Sequence, residues 1–193
     1  MNVLIGCEYS GIVREEFAKR GHNSWSCDLL PTDKQGNHFQ CDVFKAIEMK
    51  KWDLCIFHPP CTYLANSGVR WLYNKDGTIN YDREMKMWEA AMFFKELLFQ
   101  EVPKIAIENP IMHKHGLKII GQKYNQIIQP WQFGHGESKA TCLWLKNLPE
   151  LKHTKIIEEK KQSVWRMAPS PDRSKKRSKT FKGIAEAMAS QWT

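Results

Sequence analysis

Two short stretches carry the residues best equipped to do chemistry. FHPPCTYLANSG (57–68) sets a thiol, Cys61, directly behind Pro59 and Pro60, and PKIAIENP (103–110) ends an apolar run in Glu108 and Asn109 before Pro110. Proline fixes φ and has no N–H to give to a sheet, so each stretch reads as a strand that stops abruptly. A cysteine on such a stop is held at the mouth of a cleft, whereas the general fate of a free thiol is burial as a structural residue. Glu108 is either a cap or, at the end of a neighbouring parallel strand, a carboxyl close to Cys61.

Further candidates stand at the ends of other apolar runs. GCEYSG (6–11) closes the first one, with Gly6 and Gly11 able to let backbone approach a ligand, or needed only for a tight turn. Asp28 ends the second run some 20 residues on, where an acidic residue can hold ribose hydroxyls, and Asp42 follows a third, where an adenine amino group could be held. Each aspartate alone also fits a helix cap. Three successive strand ends with this chemistry point together to a nucleoside-type cofactor.

The elements that must position these residues follow from alternation. NVLIG, NSWSC, WDLCIF and PKIAIE are short apolar runs, separated by the helical patterns IVREEFAKRG, DVFKAIEMKK and DREMKMWEAAMFFKELLFQ. That order predicts an α/β fold: a doubly wound, mostly parallel sheet with helices on both faces, in which ligands bind beyond the carboxyl ends of the strands. On the longest helix, Asp82 is the expected N-cap and Met85, Trp88, Met92 and Phe99 the expected core stripe, with a second apolar set beside it. YNQIIQPW and TCLWLKNL read as further strands. Residues 152–182 read as a basic loop, and FKGIAEAMASQW as a terminal helix at about 181–191, so that 1–193 forms one domain.

Composition narrows the function classes. The chain of 193 residues is 42% hydrophobic and has a formal charge of +8. The excess is local: Lys152–Lys182 holds 11 Lys/Arg against 3 Asp/Glu, leaving 18 of each elsewhere. A focused basic segment without an amphipathic apolar face suits nucleic acid before a membrane, the bland alternative being a solvated loop. No apolar run approaches the roughly 18 residues of a membrane span, and the N-terminus has no signal-peptide pattern, so the expected location is cytoplasmic. The six cysteines lack disulfide-framework or CxxC spacing, which points to reduced thiols and to no structural zinc.

PPC after the fourth strand and ENP after the fifth, behind a nucleoside-binding first half, resemble the DNA (cytosine-5) methyltransferases, and within them a small phage-encoded branch. The likeness extends to QPWQFGHGESKATCLWLKNLP and the closing RSKTFKGIAEAMASQW. It implies the methyltransferase type of Rossmann-like fold, S-adenosylmethionine as cofactor, DNA as partner, and the host cytoplasm as location. It implies that the Cys61 thiolate adds to C6 of an extruded cytosine while Glu108 holds the N3 and amino edge, with Pro60 and Asn109 beside them. Cytosine C5 is a poor nucleophile until C6 carries an adduct, and a base inside a duplex is inaccessible at C6. Around the cofactor the resemblance places Gly6, Glu8, Tyr9, Ser10, Gly11, Asp28, Asp42 and Pro59.

The chain also departs from that family. GCEYSG lacks the usual aromatic and further glycines, Lys139 stands where an arginine-bearing motif is expected, and there is no room for a separate target-recognition domain. In place of that domain, Arg173, Lys175, Lys176, Arg177 and Lys179 are the expected DNA phosphate contacts. Competing readings are an amino-methyltransferase, for which an aromatic is expected at position 61; transfer to a free cytidine nucleotide or from a modified S-adenosylmethionine; and an idle nucleic-acid-binding module.

Overall fold

The computed structural model describes residues 1–193. Its strands are β1 (Asn2–Gly6), β2 (Asn23–Asp28), β3 (His38–Gln40), β4 (Leu54–Phe57), β5 (Lys104–Pro110), β6 (Gln126–Ile128) and β7 (Thr141–Lys146). They form one sheet in the order β3-β2-β1-β4-β5-β7-β6. The pairs from β3 through β5 are parallel, whereas β7 runs antiparallel to both β5 and β6. The strand order reverses between β1 and β4, which makes the carboxyl ends of those strands the place where a doubly wound sheet opens a crevice. No helix is long and apolar enough to cross a membrane.

Strand residues alternate between two cores, as the pleat requires. Leu4, Cys55, Phe57 and Ile105 face α2 (Val43–Glu48), α3 (Tyr81–Leu98) and α4 (Lys114–Ile120). Val3, Ile5, Leu54, Ile56 and Ala106 face α1 (Ile12–Lys19) and α7 (Lys182–Gln191). Both faces of the sheet are therefore covered, which is why its central strands are continuously apolar.

Three expectations are corrected. On α3 the buried face is Met87, Ala91, Phe94, Leu97 and Leu98, while Met85, Trp88, Met92 and Phe99 are 62%, 51%, 38% and 60% exposed. Both stripes have helical spacing, and the sheet accepts only one. The helix is capped by Asn80, whose side chain accepts from Arg83 N at 3.0 Å, with Asp82 inside the first turn. The basic segment is more than loop: it contains α5 (Ser163–Arg166) and α6 (Arg173–Ser178), neither with a buried residue.

Candidate active site

Register brings the two chemical stretches together. Phe57, the last residue of β4, pairs with Ile107 of β5, so HPPC leaves the sheet beside Glu108 and Asn109. Asn109 Nδ2 donates to Pro59 O at 2.9 Å from a side chain that is almost wholly buried. That bond ties the strand end to the Pro-Pro turn and fixes where Cys61 sits. A cleft of about 770 Å³ opens here, lined by His58, Pro59, Pro60, Cys61, Glu108 and Asn109 together with residues of the basic segment.

The electrostatics of the cleft set opposing biases on its two central groups. Burial and the Glu108 charge push the Cys61 thiol up, while the positive charges of Lys139 and Arg177 pull the other way. Burial alone would also raise Glu108, but the hydrogen bond from His58 and the positive charges of Lys139 and His58 outweigh it and hold the carboxyl below the usual value. Cys61 is partly exposed to the cleft. Its conversion to thiolate therefore leans on Lys139 and Arg177.

A second, mainly apolar cavity of about 420 Å³ shares Cys7 and Pro60 with the cleft. Its walls include Leu29, Val43 and Phe93, and it carries Asp28 and Asp42 at the ends of β2 and β3. Asp28 Oδ1 accepts from Leu30 N at 2.9 Å and Asp42 Oδ1 accepts from Phe44 N at 2.9 Å, so each aspartate shapes its own turn with one oxygen. Neither Oδ2 takes a hydrogen bond within the chain. Apolar walls with two such carboxylates fit a nucleoside: a ring packs on the walls and hydroxyl or amino groups meet the oxygens.

The residues expected around a cofactor are thus divided between the two cavities. Asp28 and Asp42 line the apolar one; Glu8, Tyr9, Ser10 and Pro59 line the cleft; Pro60 borders both. Gly6 and Gly11 line neither. A Cβ on Gly6 would lie 2.5 Å from the Phe57 ring, and Gly11, at φ 68°, is the left-handed residue that starts α1. Glu8 Oε1 accepts from Ser10 Oγ at 2.8 Å and from Val13 N at 3.0 Å, which caps α1, while its buried Oε2 is unpaired.

The basic residues are divided as well. Lys139, Arg173, Arg177 and Lys179 line the cleft, and Lys139 Nζ donates to Arg177 O at 3.0 Å. Lys175 and Lys179 pair with Asp33 at 3.5 and 2.9 Å, and Lys176 is exposed outside the cleft lining. Sequence reasoning missed His58 and Cys7. His58 had a signal, since it stands one residue before the prolines of a motif already singled out. Cys7 had only its place after Gly6; it adopts φ 57°, a strained conformation for a non-glycine residue, at the wall between the cavities.

No protein-family model matches the chain, and no curated protein matches it in sequence. Among solved structures, a DNA modification methyltransferase encoded within a prophage (E. coli) aligns at 15% identity and TM-score 0.47, over 81% of this chain and 52% of that one. The methyltransferase EhMeth of Entamoeba histolytica aligns at 18% identity and TM-score 0.48, over 90% of this chain and 62% of that one. The chain therefore spans roughly half to three-fifths of the length of these structures. Chemistry has to be read from the cavities themselves.

Proposed function

We propose that the protein transfers a methyl group from S-adenosylmethionine to C5 of cytosine in DNA. The observation that carries this reading is the adjacency of the two cavities: a thiol, Cys61, and a buried carboxyl, Glu108, share a polar cleft that adjoins a mainly apolar cavity of about 420 Å³ across Cys7 and Pro60. The nucleoside of the cofactor would be held by Asp28, Asp42 and the walls formed by Leu29, Val43 and Phe93. When bound, it supplies an electrophilic methyl group.

The chain's own residues then prepare the acceptor. The Cys61 Sγ lone pair forms a bond to C6, the C5=C6 pair moves to join C4 and C5, and the C4=N3 pair moves onto N3. Glu108, with one oxygen held by His58, turns the other toward N3 and the exocyclic amino group and passes to N3 a proton taken up from solvent, which returns to it when the ring regains its C4=N3 bond. C5 thereby becomes nucleophilic. As the C4=C5 pair forms the bond to the methyl group, the methyl–sulfonium bond would break with its pair kept on sulfur, leaving a neutral thioether; the C5 proton then leaves to a base, C5=C6 re-forms and Sγ is expelled as thiolate, so the enzyme is restored. Position 61 separates this reading from amino methylation, because a thiol adds to C6 and offers no aromatic face for stacking.

Incubation with S-adenosylmethionine and DNA containing 5-fluorocytosine tests the reading. Fluorine cannot leave C5 as a proton does, so the wild-type protein should be trapped in a denaturant-resistant complex and Cys61→Ala should not. Trapping that persists in Cys61→Ala would assign the attack to another group.

A further inference from the structure

The basic segment does not lie along the outside of the domain; it folds back across the cleft. Tyr9 Oη donates to Lys175 O at 2.7 Å, Lys139 Nζ holds Arg177 O, and the Asp33 carboxylate holds Lys175 and Lys179. At the near end, the Glu137 carboxylate accepts from Ser163 N at 3.1 Å and from its hydroxyl. All of these attachments are polar, and α5 and α6 bury no residue. Residues 163–180 thus form a strap along one wall of the cleft that holds Cys61, fastened by these polar contacts and burying no residue of its two helices.

The opposite rim is aromatic and basic. Trp71, in the 3-10 helix Asn66–Leu72, lines the cleft yet is 58% exposed, and the Arg70 guanidinium lies 4.6 Å from its ring centre. Arg83 stacks over Tyr63 at 4.2 Å and donates to Thr62 O at 2.7 Å on the same side. The cleft as a whole has five lysine or arginine residues, Arg83, Lys139, Arg173, Arg177 and Lys179, against two carboxylates, Glu8 and Glu108. An indole face left in water beside such a cationic groove is a stacking platform of the kind that single-stranded nucleic acid uses, because every base has a π-face to offer.

We propose that the cleft between Trp71 and the strap is a binding site for single-stranded DNA, with one base entering toward Cys61, a neighbouring base stacked on Trp71, and phosphates against Arg173 and Arg177. The choice of base rests on the reading of Cys61 and Glu108 given above; the preference for a single strand rests on the exposed Trp71 platform beside the cationic cleft. The cleft, of about 770 Å³, has the size of a small-ligand pocket, so unstacked bases enter it and the flank of a duplex does not. A duplex hides in its own stack the bases that Trp71 would hold.

Fluorescence anisotropy with the full-length protein and a labelled cytosine-containing oligonucleotide, alone and annealed to its complement, tests this. The single strand should bind at least tenfold tighter than the duplex. For two or three phosphate contacts, its log affinity should fall with log salt at a slope of about 1.4 to 2.1. Trp71→Ala should weaken single-strand binding about tenfold or more, and Trp71→Phe should retain most of it, which separates loss of stacking from loss of folding. Equal affinity for duplex, or Trp71→Ala affinity equal to wild type, would overturn the proposal, as would deoxycytidine monophosphate competing as well as the strand. The two readings fail separately. Trapping of 5-fluorocytosine equally from duplex and single strand sinks the strand preference alone, while Trp71-dependent strand binding with no trapping on any substrate sinks the Cys61 chemistry alone.

Discussion

His58 Nδ1 lies 3.1 Å from Glu108 Oε2, and the two side chains are 8% and 13% exposed. The contact joins the residue after β4 to the end of β5 and commits one oxygen of Glu108 inside the protein, while His58 Nε2 is buried without a partner. His58→Leu should leave the carboxyl with its burial and without its donor, destabilising the protein by about 1–3 kcal/mol at pH 7. The sign with pH follows from the lowered value of Glu108. A depressed carboxyl contributes stability above its unfolded value, about 4.3, and loses it as pH falls through the folded value. Urea unfolding of wild type and variant should therefore differ most near neutrality and converge in acid. An equal loss at both pH values would show that His58 acts by packing instead.

Cys61 is subject to opposing charges, and each can be removed. Glu108→Gln takes away a charge that raises the thiol, so alkylation of Cys61 by iodoacetamide should begin at lower pH than in wild type. Lys139→Met takes away a charge that lowers it, and the alkylation profile should move to higher pH. Rates followed by mass spectrometry of the Cys61 peptide decide the matter. Shifts in the same direction for both variants would contradict the electrostatic account.

Asp28 lines the apolar cavity and uses one carboxylate oxygen, Oδ1, to accept from Leu30 N; the proposed function gives its other oxygen to the ribose hydroxyls. Asp28→Ala should weaken S-adenosylmethionine binding by about 1–3 kcal/mol in calorimetry, with thermal stability changed much less. Unchanged affinity would move the cofactor out of the apolar cavity.

Gly183 opens α7 where the helix meets the chain before β7. A Cβ there would stand 1.8 Å from Phe133 O, and Gly183 N donates to His135 Nε2 at 2.8 Å. Helix propensity favours alanine by about 1 kcal/mol, whereas forcing the backbones apart costs about 3 kcal/mol, so the collision wins. Gly183→Ala should lower the urea midpoint markedly, and a stabilised variant would mean that α7 docks differently.

Local pattern was enough for much of this protein. Short apolar runs alternating with helical spacing specify strands and helices because both periods are properties of neighbouring residues. Proline after an apolar run specifies where a strand stops, and hence that Cys61 and Glu108 stand at strand ends. The aspartates at 28 and 42 were legible from their place where an apolar run gives way to a turn or helix. What no local pattern carries is the choice among equivalent faces and the contacts across long stretches of chain. Two apolar stripes run along α3, and only docking on the sheet decided that Met87, Ala91, Phe94 and Leu98 go inside while Trp88 stays in water. The approach of His58 to Glu108 depends on β4 lying beside β5, a pairing across 50 residues. The basic segment showed its charge in the sequence but not its place. Tyr9 reaches Lys175 across 166 residues, and Asp33 reaches Lys179 across 146. Those meetings exist because the folded sheet brings the first turn and the last basic segment to the same cleft, and they turn a run of lysines and arginines into one wall of the cleft that holds Cys61.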